Sequence, residues 1–364
     1  MLLVALALAV LTAAASADII VNLTQPVTHR YVENVSGGDT TWVEVEITDI
    51  QQAIDLAYTL INHPFAGYPG HDNTVALAPG LFDSVSTFTT IIGVKTAIAA
   101  VPEGVVLRGQ NRDGAVIDHR EAEYGILLEN VSAATVVENL TIVGGGERDR
   151  GRADDDVRDL IAAIACLDGT FATIRDVSIE RSATGIAVHS LYDDAAPHVE
   201  GVLVARGSHH GILVKQNGET PVTILGSTIV DNFDIGVYVY DGSATIGNCS
   251  ITHNGLFGIK GYMATPEVEN SNLYHNDHHS DDPQNYGGTL PDLTGIDGNI
   301  SDEPFYCDLF GDIGYVYSVC ALSPNLPEHS GVGLIGAFGE GCTESECVSP
   351  VSEVSWGAIK ALYR

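Results

Sequence analysis

Apolar and polar residues alternate along most of this chain in short runs, and the runs recur. Six segments superimpose: Thr135–Ile142, Ala172–Ile179, Pro197–Val204, Val222–Ile229, Ala244–Ile251 and Pro266–Leu273. Their closing aliphatics (Ile142, Ile179, Val204, Ile229, Ile251, Leu273) are 37, 25, 25, 22 and 22 residues apart. A strand-sized unit repeating in the low twenties predicts stacked coils rather than a single globular core. Each unit carries a second strand opened by glycine, at Gly125, Gly185, Gly211, Gly236 and Gly258. Period-two alternation turns Ile126, Ile186, Ile212, Val237 and Ile259 inward and the following residue outward. Val- and Ile-rich strands of this kind suit a parallel sheet buried on its inner face. Parallel crossovers strongly favour one hand. The expected fold is therefore all-β, a right-handed parallel β-helix over residues 74–275.

Turn chemistry supports the same layout. Asn139, Asp176, Gly201, Gly226, Asn248 and Asn270 each stand three residues before a closing aliphatic. These residue types tolerate left-handed backbone, so the column predicts a tight bend between two strands. A second such column is expected at Gly207, Asn232, Asn254 and Asn276, and stacked asparagines can hydrogen-bond from coil to coil. Solenoid ends expose unpaired strand edges that need cover. Ile50, Ala53, Ile54, Ala57 and Ile61 have helical spacing behind Thr48 or Asp49 as N-cap, predicting a capping helix within 47–64. Residues 276–342 are expected to form a last coil and an irregular C-terminal cap. Residues 18–46 are assigned only as an N-terminal segment, and 343–364 as a tail or linker. The charged stretch Glu147–Asp159 accounts for the 37-residue spacing as a loop inserted into one coil.

The apolar run of residues 1–17, ending Ala15-Ser-Ala, reads as a signal peptide without the usual basic start. It is shorter than the ~20 residues of a spanning helix, so a secreted or cell-surface protein without a transmembrane segment, and a monomer, is expected. Six cysteines fit an oxidising compartment. Cys166 and Cys249 occupy apolar repeat positions and are expected to be buried and unpaired. For the C-terminal four, Cys307–Cys320 and Cys342–Cys347 are the expected disulfides. A formal net charge of -32 with 16 Lys and Arg excludes nucleic acid as a natural partner. It fits a solvated acidic surface; calcium held by loop carboxylates, for which Asp154-Asp-Asp156 are candidates, is the other reading.

Asp49–Ile54, Val75–Phe82 and Gly104–Asp118 resemble the opening of right-handed parallel β-helices of the pectin-lyase-like superfamily. The segment Gly298–Cys307, with Ser323-Pro and Gly333–Gly339, is similar to the C-terminal closure of secreted bacterial parallel β-helix repeat-containing proteins. The resemblance spans about residues 47–342. It implies a fold and, as substrate class, acidic or neutral polysaccharides, but the superfamily hosts both enzymes and inert scaffolds. A lyase reading would use Arg175, Arg181 or Arg206 as base with Asp176 and Asp231 near them. A hydrolase needs carboxylate pairs, for which only the loop residues Asp193-Asp194 offer themselves. An epimerase-like Asp-Pro-His is absent: Asp282-Pro283 is followed by Gln284. No catalytic residue is assigned.

One outward column runs Glu129, Leu167, His189, Lys215, Tyr240, Tyr262, and its neighbour runs Leu127, Ala165, Ala187, Leu213, Tyr238, Lys260. His189, Lys215, Tyr238, Tyr240, Lys260 and Tyr262 are the candidate ligand-binding residues. Aromatic surface beside cationic donors suits a sugar chain, especially an acidic one, although tyrosine is also simply favoured on sheets. His209-His210, and His275, His278 and His279 before Asp281-Asp282, are zinc-capable by type. They are read as solvated loop histidines, and no metal or other cofactor is assigned. The expected role is non-catalytic binding of a glycan or cell-envelope partner along one sheet face; the alternative is a polysaccharide lyase, hydrolase or epimerase with a divergent site.

Overall fold

A computed structural model describes residues 18–22, 24–25, 27–36, 39–64, 66, 73–90, 93–145, 161–277, 284–307 and 317–343. The proposed signal peptide, the 147–159 insertion, His278, His279, Asp281, Asp282, Cys347 and the tail beyond Thr343 lie outside them. Three long sheets of 9, 9 and 8 strands run the length of the molecule. Except for one antiparallel edge pair, Ser86–Thr90 with Gly93–Ala100, every strand pairs parallel with its counterpart on the coils before and after. This is a right-handed parallel β-helix.

The last regular coil shows the path of the chain. Ala244–Gly247 lies in the first sheet, Ser250–Thr252 in the second and Phe257–Tyr262 in the third. The bend between the first two strands is left-handed at every coil from Asn139 to Asn270, with φ between 51° and 63°. The second bend differs from expectation. Its left-handed residues are Arg181, Arg206, Asp231, His253 and His275, one position before the predicted column. That frees Asn232, Asn254 and Asn276 to point inward, fully buried. Asn232 Nδ2 donates to Asn254 Oδ1 at 3.0 Å, and Asn254 Nδ2 to Asn276 Oδ1 at 2.9 Å. Each also donates to a backbone carbonyl (Val204, Ile229 and Ile251), so the turn's polar groups are satisfied inside the core.

The aliphatic columns align as the pattern predicts. Ile126, Ile164, Ile186, Ile212, Val237 and Ile259 pair in register and are completely buried. The glycine that opens these strands is required by close approach. A Cβ on Gly211 would lie 2.5 Å from the Gly236 carbonyl oxygen, and one on Gly236 2.6 Å from that of Gly258. Cys166 and Cys249 are buried and free, as their positions implied.

At the N-terminal end the helix Ile50–Ile61 closes the stack, with Asp49 Oδ1 accepting from Gln52 N at 2.8 Å. Its buried stripe is Ile50, Ala53, Ile54, Ala57 and Leu60, so Leu60 rather than Ile61 completes the apolar face. Gln51 meets the exposed edge directly: its Oε1 accepts from Ala100 N at 2.9 Å. Residues 18–46 hold structure that the repeat pattern did not signal. Ile19–Val21 adds a parallel strand beside Thr74–Leu77, and Val27–Ser36 pairs antiparallel with Asp39–Ile47.

The C-terminal region is the larger departure. Tyr286–Gly288 and Ile300 extend the stack by part of a coil. The chain then returns along the side of the solenoid. Tyr306 Oη lies 2.8 Å from Ser250 Oγ and 3.0 Å from Thr252 Oγ1. Asn325 Nδ2 donates to Ser250 Oγ at 3.0 Å, and Ala337 N to Thr228 Oγ1 at 2.9 Å. Tyr306, Tyr317, Val319 and Leu326 pack on Leu203, Ala205 and Val230, forming a second apolar cluster outside the helix.

The disulfide connectivity is corrected here. Cys307 bonds Cys342, with Cα atoms 5.9 Å apart. Cys307 N donates to Ser318 O and Cys320 N to Phe305 O, which places Cys307 opposite Ser318 and not opposite Cys320. Cys320 is itself disulfide-bonded. With Cys307 and Cys342 joined to each other, neither expected pair forms.

Candidate functional site

Two groups of side chains stand out on the coils, on different faces. The first lies on the outside of the third sheet. Register places His189, Lys215, Tyr240 and Tyr262 in one column and Leu213, Tyr238 and Lys260 in the next. Alternation along Ile235–Tyr240 and Phe257–Tyr262 turns the tyrosines away from the buried Val237, Val239 and Ile259. Tyr240 and Tyr262 stack with ring centroids 5.0 Å apart and planes 11° from parallel, and Tyr238 meets Tyr240 edge-on at 6.2 Å. Lys215 Nζ stands 5.9 Å from the Tyr240 ring. Lys260 Nζ stands 5.6 Å from Tyr238 and 5.2 Å from Phe257. Tyr262 is 47 % exposed, and the other five candidates are half-buried. All six sequence candidates therefore share one accessible face.

The same face ends in a feature that sequence reading misjudged. His209 and His210 are buried, at 8 % and 5 % exposed, rather than solvated in a loop. Their rings stack at 3.8 Å, His210 meets Tyr238 edge-on at 5.2 Å, and His209 Nε2 lies 3.0 Å from Asp234 Oδ2. One nitrogen from each histidine and a carboxylate oxygen of Asp234 lie within 4.8 Å of one another. Burial, reinforced by the neighbouring His209 and Lys260, holds the His210 pKa well below the ordinary imidazole value. The signal missed in the sequence was position: His210 directly precedes the strand-opening Gly211, where coil stacking forces burial.

The second group runs along the first bend and under the returning C-terminal segment. Arg108 and Arg175, from coils on either side, both donate to the buried carboxylate of Glu138, Arg175 at 2.5 Å. Burial alone would raise the Glu138 pKa, but the two guanidinium groups outweigh it and hold the carboxyl below its usual range. With Asn139, Asp176, Glu200 and Leu334 these residues line a cleft of about 730 Å³. Arg112 donates to Asp176 Oδ1 and to Gly201 O, each at 3.1 Å, and lies 4.9 Å over the Phe338 ring. Of the lyase-type candidates, Arg206 is only 8 % exposed and donates to Glu180 at 2.6 Å. Asp231 accepts from Tyr317 Oη at 3.3 Å, and burial pushes its pKa up to about 6 against the pull of Arg206 and Tyr317. Neighbouring-coil carboxylates and arginines thus do converge. In this cleft Arg108 and Arg175 share one carboxylate, and Glu138, doubly clasped and held below its usual range, is not a proton donor near neutral pH.

Part of the chain matches a known family model. It is described as a right-handed beta helix region and covers residues 210–291. The match falls on less than half of the chain and agrees with its β-helical fold. No curated protein and no solved structure matches the chain. The matched span contains His210, Lys215, the three tyrosines and Lys260, so the candidate face is carried by the most regular coils. Among the described residues no helix is long and apolar enough to cross a membrane.

Proposed function

We propose that this β-helix is a secreted or cell-surface binding protein that holds a segment of acidic polysaccharide along the third-sheet face. The observation that carries the reading is the Tyr240–Tyr262 stack flanked by Lys215 and Lys260. Flat aromatic rings offer the apolar faces of sugar rings a matching surface, and ammonium groups a few ångströms away pair with carboxylates on the same chain. A sheet face repeats its side chains at ~4.8 Å from coil to coil, so the ladder suits an extended polymer better than a compact ligand. The protein's overall negative charge adds long-range repulsion. Screening confines that repulsion to about 8 Å at physiological ionic strength, and the face itself carries the ammonium groups of Lys215 and Lys260.

A catalytic reading would draw on the Arg108–Glu138–Arg175 cleft, where both arginines are engaged by the one Glu138 carboxylate. The binding reading requires only the surface that is present. A direct test compares uronate oligosaccharides with neutral ones of equal length by titration calorimetry. The proposal expects preference for the acidic series and a roughly two- to thirteenfold loss in Tyr262→Ala, from ~0.5–1.5 kcal/mol of aromatic contact. Retention of neither series, or an affinity indifferent to Tyr262, overturns it. Release of shortened or unsaturated products would instead assign the cleft to catalysis.

A further inference from the structure

The two buried histidines and Asp234 lie on consecutive coils. The backbone fixes their relation, because Asp234 N donates to His209 O at 3.1 Å and Gly211 N to Ile235 O at 2.9 Å. The stacked imidazoles lie side by side with planes 29° apart. His209 Nε2 already faces the Asp234 carboxylate at 3.0 Å. His210 is more than nine-tenths buried, and its Nδ1 has no hydrogen-bond partner among the described residues. Ser208 Oγ and Thr184 Oγ1, on the same and the preceding coil, are likewise buried without a partner. A buried polar group left alone is costly, and a bound ligand would relieve that cost at His210.

We infer that His209, His210 and Asp234 form a binding site for a divalent transition-metal ion of the zinc class. The donor set decides the class. Two imidazole nitrogens and one carboxylate oxygen are the ligands that borderline ions such as Zn²⁺ and Co²⁺ take at about 2.0–2.2 Å. Calcium prefers six to eight oxygens, which two imidazoles do not supply. Burial favours the neutral form of His210, the form that can donate a lone pair. Lys260 acts against a cation here, and the Asp234 carboxylate offsets it. Three protein donors leave a fourth position for water or for an oxygen of a bound molecule. Because His210 touches Tyr238, the ion would stand at one end of the tyrosine–lysine face. The metal site does not depend on the glycan reading, since its test uses metal ions alone.

The experiment is equilibrium titration of the EDTA-treated protein with Zn²⁺, and with Co²⁺ as a spectroscopic substitute, without any saccharide. The inference expects one high-affinity equivalent, the visible bands of four-coordinate Co²⁺, and a rise in Tm with Zn²⁺. Asp234→Asn and His210→Gln should each weaken binding at least about tenfold while keeping the β-sheet circular dichroism. Lys215→Ala should leave it unchanged. Should His210→Gln fail to fold, Asp234→Asn and the Co²⁺ spectrum of the parent decide the matter. No stoichiometric binding, or binding that survives Asp234→Asn, overturns the site and leaves His209–Asp234 as a structural ion pair.

Discussion

Single residues set the spacing of the coils. Gly236 sits where adjoining coils approach closely, with a Cβ position 2.6 Å from Gly258 O and 2.7 Å from Ile251 Cγ2. Gly236→Ala should therefore cost about 1–3 kcal/mol by overpacking, measured as a shift in the urea midpoint at unchanged m. Gly226, whose Cβ would touch nothing within 4 Å, is the control for space, although its φ of +52° leaves some backbone strain. The asparagine ladder is cooperative: removing Asn254 frees the ends of both Asn232 and Asn276 in a dry core. Asn254→Ala should cost several times the ~1 kcal/mol of one hydrogen bond. Asp231 carries a pH signature. Its folded pKa, pushed up to about 6, lies above the ordinary carboxylate value of 3.8, so the folded state binds the proton more tightly. Its contribution to stability is present below pH 4 and is lost as pH rises through 6. Urea titrations across pH 3.5–7 should show the parent losing stability relative to Asp231→Asn as pH rises; a gap independent of pH would contradict the assignment.

At the scale of elements, what the sequence made legible was whatever repeats. Strand columns, the first bend, the inward aliphatics and the capping helix follow from period and residue type, because each coil faces the same steric problem. The elements that escaped occur once. Ile19–Val21 and the antiparallel pair after it have no second copy to reveal them. Nor did any local signal show that the segment beyond Phe305 would turn back along the solenoid. Its disulfide was misassigned for the same reason: no repeat signals the antiparallel bridge at Tyr306–Val319 and the parallel pair at Val319–Glu340 that set the real register. The second bend was misplaced by one residue, since arginine, aspartate and histidine rather than asparagine take the left-handed positions there. That one-residue shift turned the asparagines inward. The returning segment should be separable in its stability. Cys342→Ser opens a 35-residue loop and should cost about 2–4 kcal/mol. Hydrogen exchange should then rise first at Val319 and Cys320 and leave the amides of Ile212–Lys215 protected.

For the whole molecule, 48 acidic residues against 16 lysines and arginines make the third-sheet face exceptional. Two of the chain's four lysines stand on it beside three tyrosines that share its outer surface. The rigid stack beneath holds these groups in place without a ligand, so little ordering entropy opposes binding. If the face acts as described, the lysines contribute through local, screenable contacts worth roughly 0.5–1 kcal/mol each. The Lys215→Ala/Lys260→Ala protein carries almost the same background charge as its parent. The difference between the two therefore isolates the face from long-range repulsion. The decisive measurement is the affinity of both proteins for one acidic oligosaccharide, titrated from low to high salt. The account predicts weaker binding by the double variant at low salt, roughly five- to thirtyfold, and a gap that closes as salt rises. Equal affinities at every salt concentration would contradict it.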